Sequence, residues 1–174
     1  MDISILSQNC IKLKGKKAII IVDPEKQTPK TSADAILLTG IDFDTSRISD
    51  SRVILNGPGE YEIKGSKISG AATPKYAIYK LLMDNISIIL GKPVDFSKLE
   101  SNFTACDVAV LNADHEFNES FVTALSPKMV VLYGEKKLDG AKKLGAKNLA
   151  PEGRLSVAKD KLPEKTEIIV LASS

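Results

Sequence analysis

The first half of the chain is a succession of short apolar runs, rich in β-branched residues and broken every few positions by polar or glycine-containing turns. Ile3 to Leu6, Cys10 to Leu13, Ala18 to Val22, Ala35 to Thr39, Arg52 to Asn56, Tyr61 to Lys64 and Lys67 to Ser69 read as strands, with turn signals at Lys14–Gly15 and Lys64–Gly65. Tyr76 to Met83 and Ile86 to Leu90 form a further hairpin pattern that reverses at Asp84 and Asn85. From Asp95 the periodicity changes. Phe96 to Ser101 has helical spacing, Val108 to Leu111 is a buried-strand run, and Asn118 to Leu125 is an amphipathic helix. Met129 to Tyr133 predicts a strand and Asp139 to Leu144 a helix, and Lys147 to Leu149, Leu155 to Ala158 and Glu167 to Leu171 close the chain as strands.

Two strand-rich halves with helices outside satisfy an α+β sandwich in which each sheet buries one face on the other and covers its outer face with helices. The Pro- and Gly-containing spots at Gly57 to Gly59 and Ala150 to Gly153 are short turns, so the expectation is one domain over residues 1–174. Periodicity alone does not separate this from other α/β sandwiches.

Specific segments do. Ala33 to Ser46, ADAILLTGIDFDTS, carries a buried strand into a Gly/Asp loop, and there it resembles the metallo-β-lactamase superfamily, whose signature at that loop is His-x-His-x-Asp-His. Ile3 to Leu13 resembles the opening strands of that superfamily, with Ser7, Gln8, Asn9 and Cys10 at a corner that is usually Gly-His-Ser-Cys-like. Asp23 and Pro24 match an Asp-Pro that ends its third strand. Asn56 to Gly65, NGPGEYEIKG, resembles a Gly-Pro-Gly-Glu-Tyr-Glu hairpin of the branch that includes ascorbate-6-phosphate lactonase-like proteins. Ser126 to Gly134, SPKMVVLYG, has the outline of the Pro-Lys strand that leads to the last metal ligand. The resemblance implies a four-layer αββα sandwich of the metallo-β-lactamase type, trimmed in this short chain.

The departures are as consistent as the matches. The signature positions read Gly40, Ile41, Asp42, Phe43, Asp44 and Thr45, so only an aspartate, Asp44, survives. Ala72 to Lys75 contains no histidine where another is usual. Lys92 follows Leu90 and Gly91 where a bridging carboxylate is expected, and Gly134 with Glu135 stands where the last histidine belongs. The chain has a single histidine, His115, so no shift of alignment restores the set. A catalytic zinc needs about three protein ligands and an open position for the water it acidifies. Gly40, Asp42, Asp44, Thr45, Lys92 and Gly134 are therefore the expected positions of a degenerate site, with zinc and every other cofactor expected to be absent. Asp42 and Asp44, with Glu135 or Asp114, offer an oxygen site for Mg²⁺, Mn²⁺ or Ca²⁺ as the alternative. Against that, the ammonium of Lys92 would satisfy Asp44 by an internal salt bridge.

Other conspicuous residues have plain explanations. His115 reads as an exposed loop residue before a helix that Asp114 or Asn118 caps. Cys10 reads as a small packed core residue, Gly57 to Gly59 as a tight hairpin turn lacking the Lys-Ser/Thr of a phosphate loop, and Lys136 to Lys147 as a solvated helix face. With 24 basic and 22 acidic residues the net charge of +2 carries no nucleic-acid footprint. No apolar run reaches the length of a membrane span, and two widely separated cysteines without a signal peptide point to the cytosol.

Three functions remain open from the sequence. The favoured one is an inactive metallo-β-lactamase-like scaffold that binds a protein partner or itself, as a homo-oligomer. The others are a hydrolase of esters, lactones or phosphodiesters with a rearranged metal site, and a small-anion binder that uses the vacated cavity through Lys92.

Overall fold

The computed structural model describes residues 1–73, 75, 77–93, 103, 105–114, 119–147 and 149–172. In chain order its strands begin with β1 (Asp2–Ile5), β2 (Ile11–Lys14), β3 (Ile19–Val22), β4 (Thr31–Ser32), β5 (Ala35–Leu37), β6 (Ile48–Ser49) and β7 (Val53–Leu55). They continue with β8 (Gly59–Ile63), β9 (Ser66–Ala72), β10 (Ala77–Met83), β11 (Ile86–Gly91) and β12 (Val108–Asn112). Helix α1 (Glu119–Leu125), β13 (Met129–Tyr133), α2 (Lys137–Lys143), β14 (Arg154–Ser156) and β15 (Glu167–Val170) complete it.

One sheet is six-stranded in the order β14-β1-β2-β3-β5-β7, and the other seven-stranded in the order β15-β13-β12-β11-β10-β9-β8. Both change character midway. β14 to β3 pair antiparallel, whereas β3, β5 and β7 run parallel. β8 to β11 form an antiparallel meander, and β11, β12, β13 and β15 run parallel. The meander turns at Lys64–Gly65 and Asp84–Asn85, and all four residues have positive φ, as the tight mirror-image hairpin turns require.

Alternation along the strands sorts the core. Tyr79, Leu81, Ile88, Leu90, Val108, Val110, Val131 and Tyr133 point between the sheets, where they meet Ile3, Ile5, Ile11, Leu13, Ile20, Val22, Leu37 and Leu55. Their neighbours Ile78, Ile89, Ala109, Leu111, Val130 and Leu132 point outward and are covered by Phe121, Val122 and Leu125 of α1 and Ala141 of α2. Each such aliphatic side chain, fully buried, stabilises by roughly 1.5–3 kcal/mol.

The trimming falls on the other outer layer. Cys10, Ile21 and Ala33 form a small buried cluster outside the first sheet with Leu6, Ile19 and Ile48, and the cover there is the short β4–β6 pair with its flanking loops. Among the described residues both α-helices lie over the second sheet. β4 and β6 left no sequence signal because each is only a residue pair long. Lys147 and Leu149, expected in a strand, lie outside the strands, and α2 starts two residues before the expected Asp139. The expected helix at 96–101 falls outside the described residues.

Candidate functional site

A cleft of about 680 Å³ opens where the carboxyl ends of β3, β5, β11 and β12 converge between the sheets. Asp23 and Glu25 follow β3, Gly40, Ile41 and Asp42 follow β5, and Lys92 follows β11. Asn112 ends β12 with Asp114 just beyond, Asn9 comes from the β1–β2 turn, and Lys75 from the β9–β10 connection. Parallel strand ends leave backbone and loops free at one edge, which is why sites of α/β proteins gather there.

Asp23 is the deepest of these groups, 6% exposed. It sits at a positive φ of 46°, a sparsely populated conformation for a non-glycine residue. Its carboxylate accepts the Thr39 amide N–H at 2.6 Å and the Thr39 hydroxyl. Burial pushes its pKa above the ordinary carboxylate value, against the pull of the Thr39 donors and of the Lys92 ammonium. Lys92 Nζ also lies 3.6 Å from where a Cβ on Gly40 would stand, so the ammonium sits over the glycine that occupies the first expected histidine position.

Beside this pair runs a chain of hydrogen bonds that joins the two sheets. Glu25 accepts from the Ser7 hydroxyl at 2.6 Å, from the Asn9 amide N–H at 3.3 Å and from Asn9 Nδ2 at 3.1 Å. Asn112 Nδ2 donates to Asn9 Oδ1 at 3.0 Å, and Asn112 Oδ1 accepts the Asp114 amide at 3.0 Å. Asp114 Oδ1 in turn accepts the Glu135 amide at 2.7 Å. Tyr133 is fully buried, and its hydroxyl is a buried side-chain oxygen without a hydrogen-bond partner among the described residues. Burial raises that phenol well above its ordinary pKa, and Cys10 is likewise pushed up to about 12 by burial, so neither is a nucleophile at neutral pH.

Of the expected positions, Gly40, Asp42 and Lys92 line the cleft together, while Asp44, Thr45 and Gly134 do not. Asp23, and not the expected Asp44, shares the cleft with Lys92, whose charge pulls against the rise in the Asp23 pKa. Asp44 turns to its own loop. It accepts the Ser46 amide at 2.8 Å, donates its own N–H to the Pro24 carbonyl, and is held below the usual carboxylate range by the Ser46 hydroxyl and amide, with Lys26 and Arg47 nearby. Gly134 has a φ of +92°, and a Cβ there would meet Asp114 Oδ1 at 2.5 Å. His115 lies outside the described residues. Asn9, Glu25, Lys75 and Asn112 were not singled out as site residues from sequence, because amides and carboxylates that bond one another across sheets have no spacing signature.

A zinc site is a poor fit to this donor set. Two of the expected ligand positions, Gly40 and Gly134, carry no donor atom, and a third carries the cation Lys92. Glu25 and Asp114 already accept hydrogen bonds within the network. Among the described residues there is no group of three or more His, Cys, Asp or Glu arranged to hold a metal ion.

No protein-family model and no curated protein matches the sequence. Solved structures do match the fold. A protein from Thermotoga maritima assigned as a Zn-dependent hydrolase of the metallo-β-lactamase superfamily superimposes with a TM-score of 0.78 at 18% identity, covering 98% of both chains. A protein from Parabacteroides distasonis assigned as a metal-dependent hydrolase gives 0.63 at 18% identity, over 98% of this chain and 93% of the other. A metallo-β-lactamase fold protein from Bacillus subtilis gives 0.59 at 9% identity, over 99% and 96%. The fold is therefore the metallo-β-lactamase α+β fold, in a 174-residue form. At these identities the likeness concerns fold alone.

Proposed function

We propose that this chain is a catalytically inactive protein of the metallo-β-lactamase fold that has lost its zinc site and serves as a protein-interaction module, with a second copy of itself among its partners. The observation that carries this reading is the place of Lys92, whose ammonium stands over Gly40 and next to Asp23, where the fold would otherwise gather metal ligands. A cation fixed there repels a divalent ion and balances the buried carboxylate in its stead. The NGPGEYEIKG hairpin supports a position near the lactonase-like branch. Cys10 and Cys106, both buried and unpaired, fit a reducing compartment such as the cytoplasm. Among the described residues no helix is long and apolar enough to cross a membrane.

The rearranged hydrolase is disfavoured because Asp44 faces its own loop and leaves Asp42 without its expected companion. The anion binder is disfavoured by charge, since Asp23, Glu25, Asp42 and Asp114 outnumber Lys75 and Lys92 around the cleft. Elemental analysis of protein purified without chelator, paired with melting temperatures at millimolar Zn²⁺, Mn²⁺ and Mg²⁺, tests the proposal. The expected result is no stoichiometric metal and no rise in melting temperature. A tightly held equivalent of metal, or hydrolysis of lactone or phosphodiester substrates, would overturn it.

A further inference from the structure

We infer that the free edge of β8 is an acceptor for an extended segment of a partner protein in which basic residues alternate with apolar ones. This rests on the reading of the chain as an interaction module and deepens it, by naming the surface and the chemistry of the partner.

The two ends of the second sheet are finished differently. At β15 the Val170 carbonyl accepts the Glu152 amide at 2.8 Å, and the Glu152 carbonyl accepts the Ala172 amide at 2.8 Å, so the chain itself covers part of that edge. β8 ends the sheet on the other side, paired with β9 alone.

The β8–β9 hairpin fixes which backbone groups are left over. Lys64 and Gly65 make a two-residue turn, so Ile63 and Ser66 exchange both of their bonds and the pairs alternate from there. Ile63, Tyr61 and Gly59 thus turn their N–H and C=O groups toward β9. Those of Glu60 and Glu62 point away from the sheet, and among the described residues no turn or loop bonds to them. Outward peptide groups at a two-residue spacing are what an added strand pairs with.

The side chains then say which strand fits. Tyr61 and Ile63 are half-buried and pack against the core between the sheets, whereas Glu60 and Glu62 are exposed on the opposite face. Glu60 accepts the Ser69 hydroxyl at 2.8 Å, and Glu62 has no ion pair among the described residues. Directly opposite residues of neighbouring strands share a face. An added strand therefore sets every second side chain beside the two glutamates and the intervening ones beside Tyr61 and Ile63. Cations answer the first row, and apolar side chains continue the core in the second. A second copy of β8 does not meet this requirement. Antiparallel self-pairing about Tyr61 sets Glu60 of each copy opposite Glu62 of the other, and like charges so placed repel, so the self-association proposed above uses another surface.

The test is titration of ¹⁵N-labelled full-length protein with acetyl-Lys-Val-Lys-Val-Lys-amide, with the same peptide N-methylated at its lysine amides, and with versions carrying glutamate for lysine or serine for valine. The expected result is saturable shifts confined to β8 and its flanks, with slowed hydrogen exchange at the Glu60 and Glu62 amides. Loss of the lysine N–H donors should weaken binding roughly tenfold or more. Serine for valine should cost about as much, and the glutamate peptide should not bind. Glu60→Gln/Glu62→Gln keeps the backbone and should lose about threefold or more. Glu62→Pro, tolerated at an edge, deletes an outward N–H and should abolish binding with the rest of the amide spectrum preserved. Equal binding of the N-methylated or glutamate peptide, shifts away from β8, or unchanged affinity in the glutamine variant would overturn the inference. A dimer of the free chain that Glu62→Pro dissociates would give the edge to a second copy and overturn it as well. Metal analysis of the same samples separates the two readings: stoichiometric zinc defeats the metal-free proposal whatever the peptides do, whereas metal-free protein that ignores the lysine peptide defeats only the β8 acceptor.

Discussion

The phenolic oxygen of Tyr79, on β10 of the second sheet, lies 2.9 Å from the carbonyl oxygen of Leu55, on β7 of the first. The same hydroxyl is 3.1 Å from the Leu38 carbonyl and accepts the Gly57 amide at 3.0 Å. One buried hydroxyl therefore pins both sheets and the start of the Gly-Pro-Gly hairpin. Gly57 and Gly59 have φ values of 120° and 150°, and a Cβ on Gly70 would run into the Gly57 carbonyl, so the chain can approach this closely only with glycines.

Tyr79→Phe keeps the ring and removes the hydroxyl, taking away the acceptor of the Gly57 amide and a donor to the Leu38 and Leu55 carbonyls, the latter keeping the Leu38 N–H at 2.9 Å. The expected cost is about 1–3 kcal/mol in urea denaturation, with an unchanged fold by amide spectra. A loss under about 0.3 kcal/mol would mean that water or the remaining backbone takes over these bonds.

The Asn9–Asn112 bond couples the sheets at the cleft. Asn9→Ala and Asn112→Ala should each destabilise, and the double-mutant cycle should give a coupling energy of about 0.5–3 kcal/mol. Additive single effects would show that each asparagine acts only through its own neighbours.

Gly134→Ala places a methyl against Asp114 Oδ1 in a left-handed backbone conformation. We expect a loss of roughly 1–3 kcal/mol, measured by thermal and chemical unfolding. An ordinary surface position would tolerate the change within about 0.5 kcal/mol.

Asp23 supplies a pH test. Burial raises its carboxyl in the folded protein above the ordinary aspartate value of 3.8, so its contribution to stability is fully present below that value. The contribution is lost as pH rises through the raised folded-state value. Measured as wild type against Asp23→Asn, the wild-type advantage should be largest in acid and decline toward neutrality. The comparison cancels the opposite trend from Asp2 and Asp34, whose lowered pKa values give stability that is lost as pH falls. Lys92→Met removes a nearby cation, raises Asp23 further and should extend the decline to higher pH. An identical pH profile in the Lys92 variant would show that the two groups are not coupled.

Strands were legible wherever apolar runs were bounded by turn chemistry. Met129–Tyr133 is legible to the residue, and the reversals at Lys64–Gly65 and Asp84–Asn85 are legible from Gly65, Asp84 and Asn85, residue types that accept positive φ, while Lys64 adopts it without any such preference. β4 and β6 were not, since two-residue pairing is set by the loops that bring Thr31 to Ile48 and not by any local pattern. The loop after β5 announced itself through Gly40 and Asp42, which do reach the cleft. What sequence spacing did not place was Asp44, which turns to its own loop and does not line the cleft with Lys92. Whether Asp23 or Asp44 faces that ammonium depends on how the loop from Gly40 to Ser46 folds back on Pro24, a contact between segments far apart along the chain.

The positive charge beside Asp23 is covalently tethered. Chelators cannot strip it, scarcity of transition metals cannot vacate it, and a competing ion cannot exchange for it. The junction of the two sheets should hold its shape in EDTA as well as in metal-rich buffer, and among small ions it should answer chiefly to the proton.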